Sequence, residues 1–218
     1  MAGERILSKS ISGRRVQIVN RAGAQQSELR MGHVGPPRSV PDYFPIVVMN
    51  AVLGGLFSSR INLNLREVHG YTYGASSYFD WRKQEGPFVV SSAIQSDVTG
   101  AAITEILGEI ERIRGAEIAA DELTLATSYL AGVFPIRYET SDAVASGLAS
   151  LVIFDLPDDY FTAYRAHILG VTTAGVQKAA QKYLRPEEIK VVVAGNPSLI
   201  EPQLKALDLG DIRVIDGQ

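Results

Sequence analysis

The hydrophobic residues of this chain change period along its length, and that change limits the folds open to it. Arg14–Asn20 and Gln26–Val34 alternate apolar with polar side chains, as strands with one covered face do. Tyr71–Trp81 and Phe88–Gln95 read as a second strand pair, rich in aromatic and β-branched residues and joined by the polar connection Arg82–Gly86. From Asp97 onward the spacing becomes three and four. Ile103, Ile106, Leu107, Ile110 and Ile113 form one apolar stripe, with Glu105, Glu109 and Arg112 expected to face away. Leu123, Ala126, Leu130 and Val133 form another, with Pro135 ending or kinking it. Further helices are expected at Asp142–Phe154, from Asp158 as cap to Ile168, and from Thr172 or Thr173 to about Leu184. Lys190–Ala194 reads as a short buried strand, Leu199–Leu207 as a last helix and Ile212–Ile215 as a closing strand. This order is not strict β-α-β alternation. It predicts an α+β fold: a mixed, mostly antiparallel sheet with helices packed on one face.

Ser39–Gly54 is predicted as the first long helix, capped by Asp42, with Pro45 in its first turn and Gly54-Gly55 as its stop. Its apolar residues run nearly all round, so both faces should be covered. A shorter helix from Ser58 to Val68 should end at Gly70. No apolar run is read as approaching the roughly 20 residues of a membrane-spanning helix, and no membrane partner is expected.

Composition removes several classes of function. The 218 residues suit one domain, read as residues 1–218, with room for a real core. The net charge is −3 and lysine and arginine are not clustered, so the counterion release that drives nucleic-acid binding has no source. There is no cysteine, which excludes disulfides, thiolate metal sites and a thiol nucleophile. Met1–Arg5 opens without a charged-then-apolar export segment, although a leader could have been lost with a longer parent chain.

Candidate chemistry is sparse. His33, His69 and His167 have no second ligand at helical metal-binding spacing, so they read as surface or core-edge residues. Asp158-Asp159 and Glu187-Glu188 each follow a proline and suit helix starts better than an acid pair. Gly54-Gly55 lacks the lysine of a nucleotide loop and reads as a tight helix-to-helix turn. One constellation remains, Asn62 to Gly74. There Arg66 at a helix end and Tyr73 at the start of a strand lie across Gly70, which lets the chain reverse. A guanidinium and a phenol brought together would be two fixed donors for a carbonyl oxygen that gains negative charge. Arg66 could equally pair with Glu67 or Asp80, and Tyr73 could be sheet filling.

Leu53-Gly54-Gly55, Ser59-Arg60-Ile61, Asn64-Leu65-Arg66-Glu67 and Gly70-Tyr71-Thr72-Tyr73 together resemble the second domain of the insulinase/pitrilysin family, which includes the mitochondrial processing peptidases. Glu122-Leu123 through Pro135, Leu156–Tyr160, Val171-Thr172 with Val176-Gln177, and Val191–Gly195 follow the same order, so the resemblance runs from Arg14 to Ile215. It implies a zinc-free half of a metalloendopeptidase, excised from a longer chain or paired with a zinc-bearing subunit, and inactive alone. The implied site residues are Arg66 and Tyr73, which match the family's seven-residue spacing and would bind substrate carbonyl and oxyanion; Tyr71 falls at a more variable position. No cofactor is expected in this chain, zinc being expected in the partner domain, and the expected partners are that homologous domain or subunit and a peptide substrate. The resemblance also allows a structural, non-catalytic relative, and it favours the bacterial periplasm over the cytoplasm.

Overall fold

The first strand and the last two strands of the chain lie side by side at one end of its sheet. The computed structural model describes residues 12–217, so the Met1–Arg5 reading lies outside the described residues. Six strands form one sheet: β1 (Arg15–Asn20), β2 (Gln26–Val34), β3 (Thr72–Phe79), β4 (Pro87–Gln95), β5 (Lys190–Gly195) and β6 (Ile212–Asp216). Their order is β3-β4-β2-β5-β1-β6. The C-terminal β5 inserts between the first two strands, antiparallel to β2 and parallel to β1, and β6 adds parallel to β1. β3 and β4 form the expected hairpin, with β4 antiparallel to β2. The mixed sheet expected from the sequence is present, with three antiparallel pairings and two parallel ones.

One face of the sheet is the core. Val16, Ile18, Leu29, Met31, Phe88, Val90, Ile94, Val191 and Val193 are buried on it, and their alternate neighbours are largely open. The helices are α1 (Tyr43–Asn50), α2 (Arg60–Asn62), α3 (Thr99–Gly115), α4 (Ala120–Ile136), α5 (Ser141–Phe154), α6 (Tyr160–Leu169), α7 (Thr173–Tyr183) and α8 (Pro197–Ala206); α1, α2, α3 and α8 pack against strands, α4, α6 and α7 pack on other helices, and α5 is largely exposed. The α3 stripe buries Ile103, Ile106, Ile110 and Ile113, as its spacing predicts. α4 runs one residue past Pro135 and stops at Ile136. Thr172 caps α7 by accepting from the Gly175 amide.

Five expectations need correction. The first helix begins at Tyr43 rather than Ser39. Asp42 does not cap it with its side chain, because Lys182 and Tyr183 donate to that carboxylate and hold it below the usual range. Asp159, not Asp158, stands at the start of α6, and it too makes no side-chain cap bond. Glu109 faces inward: it is buried, accepts from Asn64 Nδ2 at 2.9 Å, and forms an ion pair with Arg112 at 3.1 Å. Tyr43–Val68 spans 26 residues and is apolar enough (mean hydropathy 1.5) to cross a membrane by length and composition. In this fold it is broken by the non-helical Leu56–Ser59 stretch and buries Ile46, Val48, Met49, Val52 and Leu53 in the core.

Gly54-Gly55 does more than stop a helix. α1 widens into a π-helical turn over Ala51–Gly55, which lays Gly54 against the backbone of the edge strand β3. A β-carbon on Gly54 would stand 2.7 Å from the Ser77 amide nitrogen, and one on Gly55 would stand 3.0 Å from the Asn50 carbonyl oxygen. Gly54→Ala should therefore force helix and strand apart. The expected cost is about 1–3 kcal/mol, read as a lower urea midpoint with an unchanged denaturant slope.

Candidate functional site

Edge strands expose unpaired amides and carbonyls, and β3 is an edge on its outer side. Two asparagines occupy that edge. Asn50 Nδ2 donates to the Ser77 carbonyl at 2.9 Å while its Oδ1 accepts from the Ser77 hydroxyl at 2.8 Å. Asn62 Oδ1 accepts from the Ala75 amide at 2.9 Å, and its Nδ2 donates to the Phe57 carbonyl. The segment Leu56–Asn62 is thus tied to the edge without adding a strand to it. A cleft of about 470 Å³ opens there, walled by Gly54, Phe57, Tyr73, Ser76 and Ser91, with Glu28 on the open face of the sheet.

Tyr73 reaches the cleft through a bulge. The β3–β4 register slips between Thr72 and Ala75, so Tyr73 and Gly74 are both turned outward. Two hydroxyls pin the slip: Ser92 donates to the Gly74 carbonyl at 2.9 Å, and Thr72 Oγ1 accepts from the Gly74 amide at 3.1 Å while donating to the Ala93 carbonyl. A bulge re-aims the side chain it carries, and Tyr73 is 90% exposed. Tyr71 is instead stacked on His69 at 4.8 Å.

Arg66 sits on a second π-helical turn, Leu63–Val68, followed by the reversal at Gly70 with φ of +65°. π-helical turns are rare and concentrate at functional sites. The Arg66 guanidinium lies 4.6 Å from the centre of the Phe57 ring, and its Nε is 3.5 Å from the exposed Glu67 carboxylate. Its Nη1 is buried with no hydrogen-bond partner. Asp80, the other partner considered for it, pairs with Arg82. Phe57 carries Arg66 on its face and lines the cleft beside Tyr73.

The neighbouring polar residues have structural work. Arg60 donates to both oxygens of Glu122 at 2.7 Å, joining α2 to the start of α4, and Glu122 also accepts from the Ala119 amide. Asn64 donates to Glu105 at 3.0 Å and to Glu109. The three histidines are scattered. His33 is buried; desolvation lowers its pKa, and its Nε2 accepts from the Arg185 amide at 3.1 Å. His69 is 3.7 Å from Glu105, and His167 packs on Phe44. Among the described residues no three of His, Cys, Asp or Glu gather to hold a metal, so no step is assigned to a metal held by this chain. Two contributors were not singled out by sequence: Phe57 as the shared wall, and the asparagine pair on the edge. Asn62 stood inside the marked constellation, but its partner Ala75 could be found only through the fold.

The profile of the family described as "Peptidase M16 inactive domain" matches residues 8–130. This chain belongs to that family. The insulinase/pitrilysin resemblance read from the motifs points to the same family of zinc proteases and their inactive domains. No curated protein matches the chain. Among solved structures it is similar to the peptidase M16 inactive domain from Pseudomonas fluorescens, at 23% identity and a TM-score of 0.78 over 84% of this chain and 44% of that one. A protease from Helicobacter pylori follows at 19% and 0.77, over 85% and 45%. A chain of complex III2 from Candida albicans gives 14% and 0.72, over 88% and 49%. These likenesses speak for the fold, and the chain spans less than half the length of each.

The Arg60–Glu122 pair can be tested for its structural contribution. Arg60's hydrogen bonds hold the Glu122 carboxyl below its ordinary value of 4.5. The unfolded state therefore binds that proton more readily, so the pair stabilises fully above about pH 4.5 and its contribution is lost as pH falls through the depressed folded value. Arg60→Met should cost about 1–2 kcal/mol at neutral pH. The difference from the parent protein should shrink as unfolding is followed down through the acid range.

Proposed function

We propose that this chain is the zinc-free, substrate-holding half of a zinc-dependent endopeptidase. What supports this reading is the unspent hydrogen bonding of Tyr73 in the cleft and of Arg66 against Phe57, which walls it. Asn50, Asn62, Asn64, Arg60, Thr72 and Ser92 are all committed to holding the fold. Arg66 keeps a buried Nη1 without a partner, and Tyr73 keeps a solvent-facing phenol.

In this reading an extended peptide lies along the cleft, with a backbone carbonyl directed at Arg66 and Tyr73. The position of the guanidinium is set by Phe57 on one side. The phenol is aimed by the bulge. Two such donors stabilise charge as it grows on the carbonyl oxygen in the tetrahedral transition state, without reorganising when it arrives. Lewis acidity and an activated water are assigned to zinc in a homologous partner domain, either fused to this chain or a separate subunit. The family membership supports such pairing, as does the coverage of less than half of its structural relatives.

A second reading is a structural subunit without catalysis, favoured by the likeness to a chain of complex III2. The two separate in one experiment. The chain is assembled with its zinc-bearing partner and cleavage of an unfolded peptide is followed; the chain alone should cut nothing. Arg66→Ala and Tyr73→Phe should each lower kcat by about 10²–10³ with zinc content unchanged. Assembly without cleavage would favour the structural reading, and full turnover in both variants would remove the two residues from the site.

A further inference from the structure

Residues 184–189 carry the chain from α7 into β5, the strand that separates β1 from β2. Arg185 ties this connection to the end of β2 twice. Its amide donates to His33 Nε2 at 3.1 Å, and its guanidinium donates to the Val34 carbonyl. His33 is 5% exposed and tilts against Phe88, with ring centres 5.1 Å apart.

Those contacts admit one protonation state of the ring. A backbone amide can only donate, so Nε2 must keep its lone pair. Nδ1 lies 3.0 Å from the Val34 carbonyl, which can only accept, so it carries the proton. A second proton, on Nε2, would set N–H against N–H and place a cation in a buried site beside the Arg185 guanidinium. Burial is the largest effect and holds the His33 pKa below its ordinary 6.5; Arg185 acts in the same direction, while the Val34 bond, Glu188 and Glu187 oppose it. Cations on the flanking elements are engaged elsewhere: Lys190 on β5 donates to the Gly13 and Glu188 carbonyls, and Lys182 at the end of α7 donates to Asp42.

We propose that His33 is an acid-released latch: when its ring takes up a proton, the Arg185 amide is freed and residues 184–189 leave the end of β2 while the rest of the sheet stays folded. His33 stands opposite Phe88, and Phe88 opposite Phe79, at the far end of the β3–β4 hairpin from Tyr73. Release there leaves the Tyr73 cleft in place, and the latch is independent of the peptide-holding reading. Once released, the imidazole regains its ordinary affinity for a proton, so acid favours the open form. The latch is at full strength above about pH 6.5. As pH falls from there toward the depressed folded value, opening becomes about tenfold more populated per pH unit.

Native-state hydrogen exchange of the full chain, read by mass spectrometry between about pH 8 and about pH 5, tests this. Protection factors, which remove the intrinsic pH dependence of exchange, are compared for residues 184–189 and for α3. The connection should open more readily than α3, and its protection should fall about tenfold per pH unit below about pH 6.5. His33→Gln, which offers an uncharged acceptor oxygen in place of Nε2, should remove that slope. An NMR titration of the parent protein gives a second reading that needs no variant: the ring should be the Nδ1–H tautomer, with its midpoint below 6.5. Protection that does not change with pH, a slope that survives His33→Gln, or an Nε2–H ring overturns the assignment. Exchange of the connection only together with α3 at every pH overturns local release and leaves His33 a contributor to global stability alone.

Discussion

The contact between the Ala51–Gly55 turn and the outer edge of β3 is the constraint on which the rest of the site depends. A sheet edge offers backbone groups to any passing strand. Here those groups are taken by two asparagine side chains, while Gly54 brings a helical turn onto the strand backbone where any β-carbon would collide. The edge is closed to indiscriminate pairing, yet no strand is added. The chain that closes it leaves open the cleft walled by Gly54, Phe57 and Tyr73.

That arrangement also explains why the edge strand is irregular where it matters. A regular β3 would alternate its side chains, and Tyr73 would follow the strand's own register. The slip between Thr72 and Ala75 instead turns two successive residues outward, held by the Thr72 and Ser92 hydroxyls. The two π-helical turns act similarly on the helical side, each adding a residue to its turn and so changing which face the following side chain meets. Departures from regular geometry cluster within one short stretch of chain, and polar side chains rather than strain hold them in place.

The distribution of partners sorts the motif residues by role. Arg60 and Arg66 are six positions apart on one helical arm, yet Arg60 ends on both oxygens of Glu122 and Arg66 ends on an aromatic ring with one nitrogen unmatched. An arginine fully engaged with a carboxylate has few donors left for a ligand. Arg66 is less committed: it rests on the Phe57 ring, makes one 3.5 Å contact with Glu67, and leaves Nη1 unmatched.

The sequence by itself determined the layers. Alternation in Gln26–Val34 and the three-four spacing of Ile103 to Ile113 are local consequences of burying one face, so they could be read without neighbours. The residues of the proposed site, Arg66 and Tyr73, were also visible, because Gly70 and their spacing are local. What only the tertiary structure decided was partnership. Asp42 could not be seen to leave its helix for Lys182 and Tyr183, nor Glu109 to turn inward toward Asn64. Gly54 looked like punctuation until Ser77 lay against it. The reason is physical: periodicity records whether a side chain is buried, while the identity of what it meets depends on contacts between residues far apart in the chain.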